Sequence, residues 1–465
     1  EGERRWIAVH GGTHLSLPHP PSPHCGAERE GKRKEPRSPQ ESRVIHPFPC
    51  VLWDLCMRRV YLDHASTTPV DPRVVEAMRP YLEREYGNPS SLYAEGRAAK
   101  GALDGARRTV AAVLRCSPEE IIFTGSGTES DNMAVLGVPR WYRNQSASWG
   151  HVIISAIEHH AVLNAAEHLR KEGFAVAALP VDRDGLVHPD AVRDALTPQT
   201  VLVSVMAANN EIGTIEPVAD IAKVIREWKR AEGRKPADPP FLHTDACQAA
   251  GALDLDVQRL GVDLLTINGS KVYGPKGTGA LYVRRGVRLE PLVYGGGQEQ
   301  RLRSGTENVA GIVGFATALE IADAQRVEEG QRLTALRERL RAGIMERVPK
   351  TVLNGHQTER LPNNVNVSIL DIEGEAMLLS LDAKGVAAAT GSACDSQSLD
   401  PSHVILALGR SYEYAHASIR FTLGRSTTAE DIDHVLAVLP EIVERLRRIS
   451  PVRMDGDGDD RKAEP

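Results

Sequence analysis

The chain has 465 residues, of which 41% are hydrophobic, 25% charged and 5% aromatic, a balance that fits two or three packed domains and excludes a disordered chain. A formal net charge of -6 excludes a global basic field for direct nucleic-acid binding, and no apolar run is long enough for a membrane-spanning helix. Six cysteines without a CxxC pair exclude a disulfide scaffold and give no metal site. Residues 1–56 stand apart: they hold eight of the 29 prolines and Cys25, Cys50 and Cys56, and they show no helical or strand period. The expectation is a disordered N-terminal extension. It lacks the apolar run of a secretory leader, and Glu1, Glu3, Glu28, Glu30, Glu35 and Glu41 are out of place in a mitochondrial presequence. Met57, directly before Arg58-Arg59-Val60-Tyr61, is the expected natural start, which would make residues 1–56 non-native.

From Met57 the pattern is α/β. Apolar runs at Ile121-Ile122-Phe123, Val152-Ile153-Ile154, Val201 to Met206, Phe241-Leu242-His243 and Leu264-Leu265-Thr266-Ile267 predict strands, with helices between several of them, such as Ala219 to Trp228. The alternation predicts a mostly parallel sheet covered on both faces, with ligands bound beyond the strands' carboxyl ends. Ala231 to Pro240 reads as a surface loop. After about residue 326, Leu333, Leu336, Leu340 and Ile344 form one helical face. Short strands follow at Val365-Asn366-Val367 and Ile419-Arg420-Phe421. A last helix starts near Thr428 with a capping box to Asp431, carries the stripe Ile432, Val435, Leu436 and Leu439, and is expected to kink at Pro440. The predicted organisation is a large domain over 71–326, a smaller α+β domain made of 57–70 and 327–449, and a flexible tail over 450–465.

Chemistry gathers at the predicted strand ends. Lys271 follows the strand Leu264 to Ile267 within Asn268-Gly269-Ser270-Lys271-Val272-Tyr273-Gly274-Pro275-Lys276-Gly277, where an amine with a lowered pKa can form a Schiff base. Alone it would read as a solvated loop lysine. Asp245, after Phe241 to Thr244, can pair with a protonated ring nitrogen or serve as a helix cap, and Gln248 lies three residues on. Thr124-Gly125-Ser126-Gly127-Thr128-Glu129-Ser130 opens a helix with small and hydroxyl residues, an anion site suited to phosphate. His159, in Glu158-His159-His160, can stack on a planar ring or move a proton. Phosphate cup, ring stack, ring-nitrogen partner and lysine in this chain order specify a pyridoxal phosphate pocket.

These residues resemble the class V aminotransferase family, and within it the cysteine desulfurases of the IscS/NifS type. The matching text is Tyr61 to Pro69, Gly87-Asn88-Pro89-Ser90-Ser91, Thr124 to Asn132, Glu158 to Val162, Asn209-Asn210-Glu211-Ile212-Gly213, His243 to Gln248, Ser270 to Gly277, Arg303-Ser304-Gly305-Thr306, Gly391-Ser392-Ala393-Cys394 and Ser418 to Phe421, in order over roughly 60–449. The resemblance implies the fold type I of pyridoxal-phosphate-dependent transferases. It implies that Lys271 holds the cofactor; that Gly127, Thr128, Ser270 and Thr306 of the partner subunit bind its phosphate; and that His159 stacks on its ring. It further implies that Asp245 pairs with the ring nitrogen, Gln248 and Asn210 contact the ring hydroxyl side, and Arg420 grips the substrate carboxylate. A homodimer follows from Thr306. Ser270 stands where the family commonly has His, and Asn268 where it usually has a small hydroxyl residue.

Cys394, among small residues, is the implied nucleophile, and its thiolate form is the reactive one. Cys116 and Cys247 read as structural. The implied reaction takes sulfur from L-cysteine: Lys271 removes the α-proton, with His159 a candidate for further proton transfer. Cys394 attacks the substrate sulfur, and the products are L-alanine and a Cys394 persulfide. The sulfur then passes to an acceptor protein in iron–sulfur cluster assembly or tRNA thiolation, in a cytoplasmic, reducing setting. The rivals are a selenocysteine lyase, which shares the fold and pocket, and a non-catalytic sulfur-transfer scaffold, which would not need Lys271 and Cys394.

Overall fold

The computed structural model describes residues 58–145, 150–391 and 401–450. Cys394 and the expected extension over 1–56 therefore lie outside the described residues. In chain order the strands are β1 (Val60–Tyr61), β2 (Ile121–Thr124), β3 (His151–Ser155), β4 (Ala175–Leu179), β5 (Thr200–Ser204), β6 (Phe241–Asp245), β7 (Leu264–Asn268), β8 (Gly279–Val283), β9 (Thr351–Leu353), β10 (Asn364–Ile369), β11 (Val386–Ala387) and β12 (Ser418–Thr422). The helices are α1 (Pro72–Glu83), α2 (Ala94–Leu114), α3 (Gly127–Gln145), α4 (His160–Lys171), α5 (Pro189–Ala195), α6 (Val218–Ala231), α7 (Val257–Leu260), α8 (Val309–Arg347), α9 (Gly374–Asp382), α10 (His403–Ala407), α11 (Tyr412–His416) and α12 (Ala429–Ile449).

Seven strands form one sheet in the order β2-β8-β7-β6-β5-β3-β4. It is parallel except for β8, which runs antiparallel to both neighbours, with Asn268 opposite Gly279 and Thr124 opposite Gly279 from the other side. Its central strands are buried on both faces, as β5 (TVLVS) and β6 (FLHTD) show. One face packs on Val110, Leu114, Ile221, Ile225, Phe315 and Leu319, the other on Met133, Val135, Val162, Ala166 and Leu169. The five anticipated strands are present. β4 and β8 complete the sheet: the first is alanine-rich, and the second follows the lysine motif with only Thr278 between them.

A separate apolar cluster gathers Val60, Leu62, Leu340, Ile344, Val365, Val367, Phe421, Ile432, Val435 and Leu439. Its three-stranded sheet, β12-β10-β9, is antiparallel, and β1 pairs with β11. Residues 60–62 thus pack with the C-terminal part of the chain. The expected boundary at 326/327 falls inside α8. That 39-residue helix buries Ile312, Phe315 and Leu319 in the first cluster and Leu333, Leu340 and Ile344 in the second. The capping box at Thr428 forms: Asp431 N–H donates to Thr428 Oγ1 (3.3 Å) and Thr428 N–H to Asp431 Oδ2 (3.0 Å). At Pro440 α12 runs on without a break to Ile449. The missing N–H removes one bond from the ladder, and the buried face of Leu439, Ile442, Val443 and Leu446 holds the rest. No described helix is long and apolar enough to cross a membrane.

Candidate active site

The carboxyl ends of β2, β3, β5, β6 and β7 point to one cavity of about 270 Å³. Each strand delivers a different group there. β6 ends on Asp245, and the turn after it brings Gln248. β7 ends on Asn268, and a single tight turn over Gly269–Lys271 presents Ser270 and Lys271. β2 leads into α3, whose first residues are Gly127 and Thr128. β3 leads to His159, the N-cap of α4, whose Nδ1 accepts from Ala161 N–H at 3.1 Å. Asn210 comes from the turn after β5, and Arg420 from the middle of β12 in the other cluster. All of these line the cavity. Thr306 does not: it is exposed, in the segment before α8.

Burial and charge set the protonation pattern. Burial pushes the His159 imidazole below its ordinary range, with Asp245 opposing and His160 and Lys271 adding to the effect, so the ring is neutral near pH 7. Below Asp245 lies a layer of hidden polar groups. His243 is fully buried, and burial pushes it down to about 4. Its Nδ1 lies 2.9 Å from Ser204 Oγ, and its Nε2 lies 3.1 Å from Thr266 Oγ1 and 3.6 Å from Asp131 Oδ1. Asp131 is raised well above the carboxylate range, first by burial and then by the negative charge of Asp245. Glu158 is raised for the same first reason while accepting from Met206 N–H at 2.7 Å. Asp245 itself accepts from Cys247 N–H at 2.9 Å, which fixes its carboxyl against the cavity.

Arg420 is 2% exposed and almost fully engaged. Its Nη1 donates to Asn210 O (2.8 Å), and its Nη2 to Asp63 Oδ1 (2.9 Å) and Ser66 Oγ (3.0 Å). Its Nε is buried without an acceptor among the described residues. Lys271 Nζ donates to Ser66 O. Asp63 and Ser66, in the turn after β1, thus connect the lysine and the arginine. Glu211 forms a second connection. Ser402 Oγ donates to its Oε2 at 2.5 Å, and a Cβ on Gly391 would stand 2.4 Å from the same oxygen. Its backbone carbonyl accepts from Asn364 and Asn366 side chains (3.1 and 3.2 Å). Burial lifts the Glu211 carboxyl to about 7, with the Ser402 hydroxyl and Arg420 opposing.

The cavity fits pyridoxal phosphate. α3 is long enough for an appreciable dipole, and its first amides, Gly127 and Thr128, bond no acceptor among the described residues, whereas Glu129 N–H is capped by Ser126 Oγ at 3.1 Å. Gly127 is required by packing: a Cβ there would stand 2.7 Å from Cys247 Sγ and 3.1 Å from Asn268 Nδ2. Cys247 is buried, and its thiol is raised by that burial. Burial likewise pushes Cys116 up to about 12, so neither thiol is poised for nucleophilic work.

Sequence reasoning passed over Asp63, Ser66, Asp131, Glu211 and His403 as site residues. Four of them stand within the quoted motif segments, and Glu211 directly follows the assigned Asn210. His403 lines the cavity from α10, with Nε2 3.0 Å from Glu158 O, and carried no sequence signal.

Comparison with known proteins agrees with this geometry. The family model described as aminotransferase class-V matches residues 60–435. The cysteine desulfurase IscS of Methanosarcina thermophila is 49% identical over 395 residues, covering 85% of this chain and 94% of the relative. That of Dictyoglomus turgidum is 48% identical over 398 residues, covering 86% and 98%. A solved NifS-like protein superposes with a TM-score of 0.76 at 36% identity, covering 84% of this chain and all of its own. A match that runs from β1 into α12, with nearly every second residue shared, means that this chain belongs to the aminotransferase class-V family, in the group of the IscS cysteine desulfurases.

Proposed function

We infer that this chain is a cysteine desulfurase that works with pyridoxal phosphate, taking sulfur from L-cysteine and leaving L-alanine. The observation that carries the reading is the convergence on one cavity of Lys271, Asp245, His159, the open amides of α3 and a buried arginine from a second cluster. The amine of Lys271 would hold the cofactor. Gly127 and Thr128 N–H, with Ser270, would take its phosphate. Asp245 would pair with the ring nitrogen, and Asn210 and Gln248 would flank the ring hydroxyl. A neutral His159 would lie against the ring, where it adds no charge. When bound, pyridoxal phosphate supplies an electron sink for charge that develops at the substrate α-carbon.

The chain's own groups do the rest. Arg420 orients the substrate carboxylate, for which its buried Nε is a spare donor. Lys271 moves the α-proton. The Cys394 thiolate attacks the substrate sulfur: an S–S bond forms, the C–S bond breaks, and its electron pair stays with the carbon, which is protonated to the methyl group of alanine. The sulfur remains as a Cys394 persulfide for a sulfur-acceptor protein of iron–sulfur cluster assembly or tRNA thiolation.

We assign 71–326 to cofactor binding, and 57–70 with 327–449 to a smaller domain that carries the Cys394 segment and Arg420. Thr306, exposed on its own subunit, supports a homodimer in which it serves the partner's site. The Cys394 nucleophile must stay a free thiolate, which a reducing compartment maintains, and this supports a cytoplasmic reaction.

The test is alanine formation from L-cysteine under reducing conditions by the holoenzyme and by Cys394→Ala. Alanine from the first and not the second is expected. Alanine from neither, with L-selenocysteine turned over by both, would make the protein a selenocysteine lyase. A protein that stays colourless with added cofactor would be a scaffold.

A further inference from the structure

Residues 299–306 are tied at two places to the turn that opens α3. Glu299 makes the first tie. It is 6% exposed and lies against β2, the edge strand of the seven-stranded sheet. Its Oε2 accepts from Phe123 N–H at 2.8 Å, and the Arg107 guanidinium donates to both carboxylate oxygens. Arg303 makes the second. Its Nε donates to Glu129 Oε1 at 2.8 Å, and Glu129 Oε2 accepts from Gly125 N–H, also at 2.8 Å. Gly125 is suited to that approach, because a Cβ there would stand 2.8 Å from Glu129 Oε2. Phe123 and Gly125 flank Thr124, and the open amides of Gly127 and Thr128 follow two residues on. Glu299 and Arg303 therefore hold, from one side, the turn suited to the cofactor phosphate.

The same segment is fixed along its length as far as Thr306. Glu299, Gln300 and Arg301 have φ of +42°, +58° and +67°, a left-handed run that residues other than glycine hold only when their surroundings impose it. Gln300 Nε2 donates to Glu119 O (2.7 Å), and Leu302 N–H to Glu299 O (3.0 Å). Ser304 Oγ donates to Gly296 O (2.9 Å), and Gly305 N–H to Gln298 Oε1 (3.2 Å). Thr306 comes next and is exposed. One stiff segment thus grips its own phosphate turn and presents Thr306 outward. Glu129 spends one carboxylate oxygen on each of the two, the turn and the segment. Removing the guanidinium would release the carboxylate from its alignment on Gly125 and loosen the chain three residues before Thr306.

We propose that, in the homodimer inferred above, Arg303 and Glu129 are positioning residues for the cofactor phosphate in both subunits at once. In their own subunit they set the turn through Gly125, and in the partner's site they set the Thr306 that this segment supplies. The two sites are then linked, because a disturbance of the Arg303–Glu129 pair reaches both. An ion pair that served only its own fold would act on one.

The experiment measures cofactor affinity in differently tagged heterodimers in which one subunit carries Lys271→Ala. The visible absorbance of cofactor joined to Lys271 then reports only the subunit that keeps the lysine. Arg303→Gln is placed first in the reporting subunit and then in the other. Each placement weakens binding at the reporting site about three- to tenfold, between the worth of an exposed ion pair and that of a charge-assisted hydrogen bond. Thr306→Ala weakens it only from the non-reporting subunit. Arg303→Gln acting from one placement alone, or from neither, overturns the proposal while leaving the homodimer in place. Thr306→Ala acting within its own subunit, or from neither, overturns the homodimer reading and the proposal with it. Arg303→Lys keeps the charge without the planar fork, so it carries the test if Arg303→Gln does not assemble, with a smaller loss expected from both placements.

Discussion

Replacing Glu211 by Gln should stabilise the protein by an amount that grows as pH rises from 4.5 to about 7 and stays constant above that. The carboxyl is fully buried, and burial lifts it from 4.5 to about 7. A carboxyl raised on folding binds its proton more tightly in the folded chain. Its contribution to stability is therefore complete below pH 4.5 and is lost as pH rises through 7. At about 1.36 kcal/mol per pH unit, that rise corresponds to a loss of about 3 kcal/mol by pH 8. Gln keeps the shape and can still accept from Ser402 Oγ, but it has nothing to ionise. With an unfolding entropy of about 1 kcal/mol/K for a chain of this length, the difference is about 3 °C in Tm. Differential scanning calorimetry of the two holoenzymes from pH 5 to pH 8.5 measures it. The Tm difference is expected near zero at pH 5 and in favour of Glu211→Gln at pH 8. A difference that does not change with pH would refute the assignment of a neutral, buried Glu211.

Three other outcomes follow from the same contacts. Ser402→Ala removes both the donor to Glu211 and the cap of α10, where Ile405 N–H donates to Ser402 Oγ at 3.2 Å. It should cost about 1–2 kcal/mol by denaturant unfolding, and its effect should be less than additive with Glu211→Gln. Arg420→Lys cannot hold Asn210, Asp63 and Ser66 while also meeting a substrate. The KM for L-cysteine in the alanine assay should rise about tenfold or more, with kcat falling less. Cys116 and Cys247, with thiols raised by burial, should resist iodoacetamide at pH 8 in the folded protein and react in urea, as read by peptide mass spectrometry.

Strand-end chemistry was legible because a strand buried on both faces is an unbroken apolar run, and the residue that ends it is marked by its polarity. Asp245 after Phe241 to Thr244 and Lys271 after Leu264 to Asn268 could be placed that way, and the cavity contains both. β8 was not legible, because an edge-like run after a glycine-rich turn does not announce that it inserts between β2 and β7. The course of α8 was hidden for a different reason. Its first half is rich in Ala and Gly, and it buries those small residues together with Ile312, Phe315 and Leu319 rather than an unbroken leucine stripe. Glu211, Asp63 and Ser66 stood in segments already singled out, but their importance depends on Ser402, Gly391 and Arg420, 180 residues (391 − 211) or more away along the chain. No local pattern encodes a partner at that distance.

The long helix α8 has a mechanical consequence. About 58 Å of continuous helix is clamped at one end among Ile312, Phe315 and Leu319 and at the other among Leu340 and Ile344. Such a beam resists swivelling. Moving one clamp against the other means bending the whole span or opening its hydrogen-bond ladder in the middle. The arginine of β12 and the lysine after β7, each held by a different clamp, therefore keep a constant separation. The two clusters should also lose structure together, as a single calorimetric transition, because neither can melt without releasing an end of the same helix.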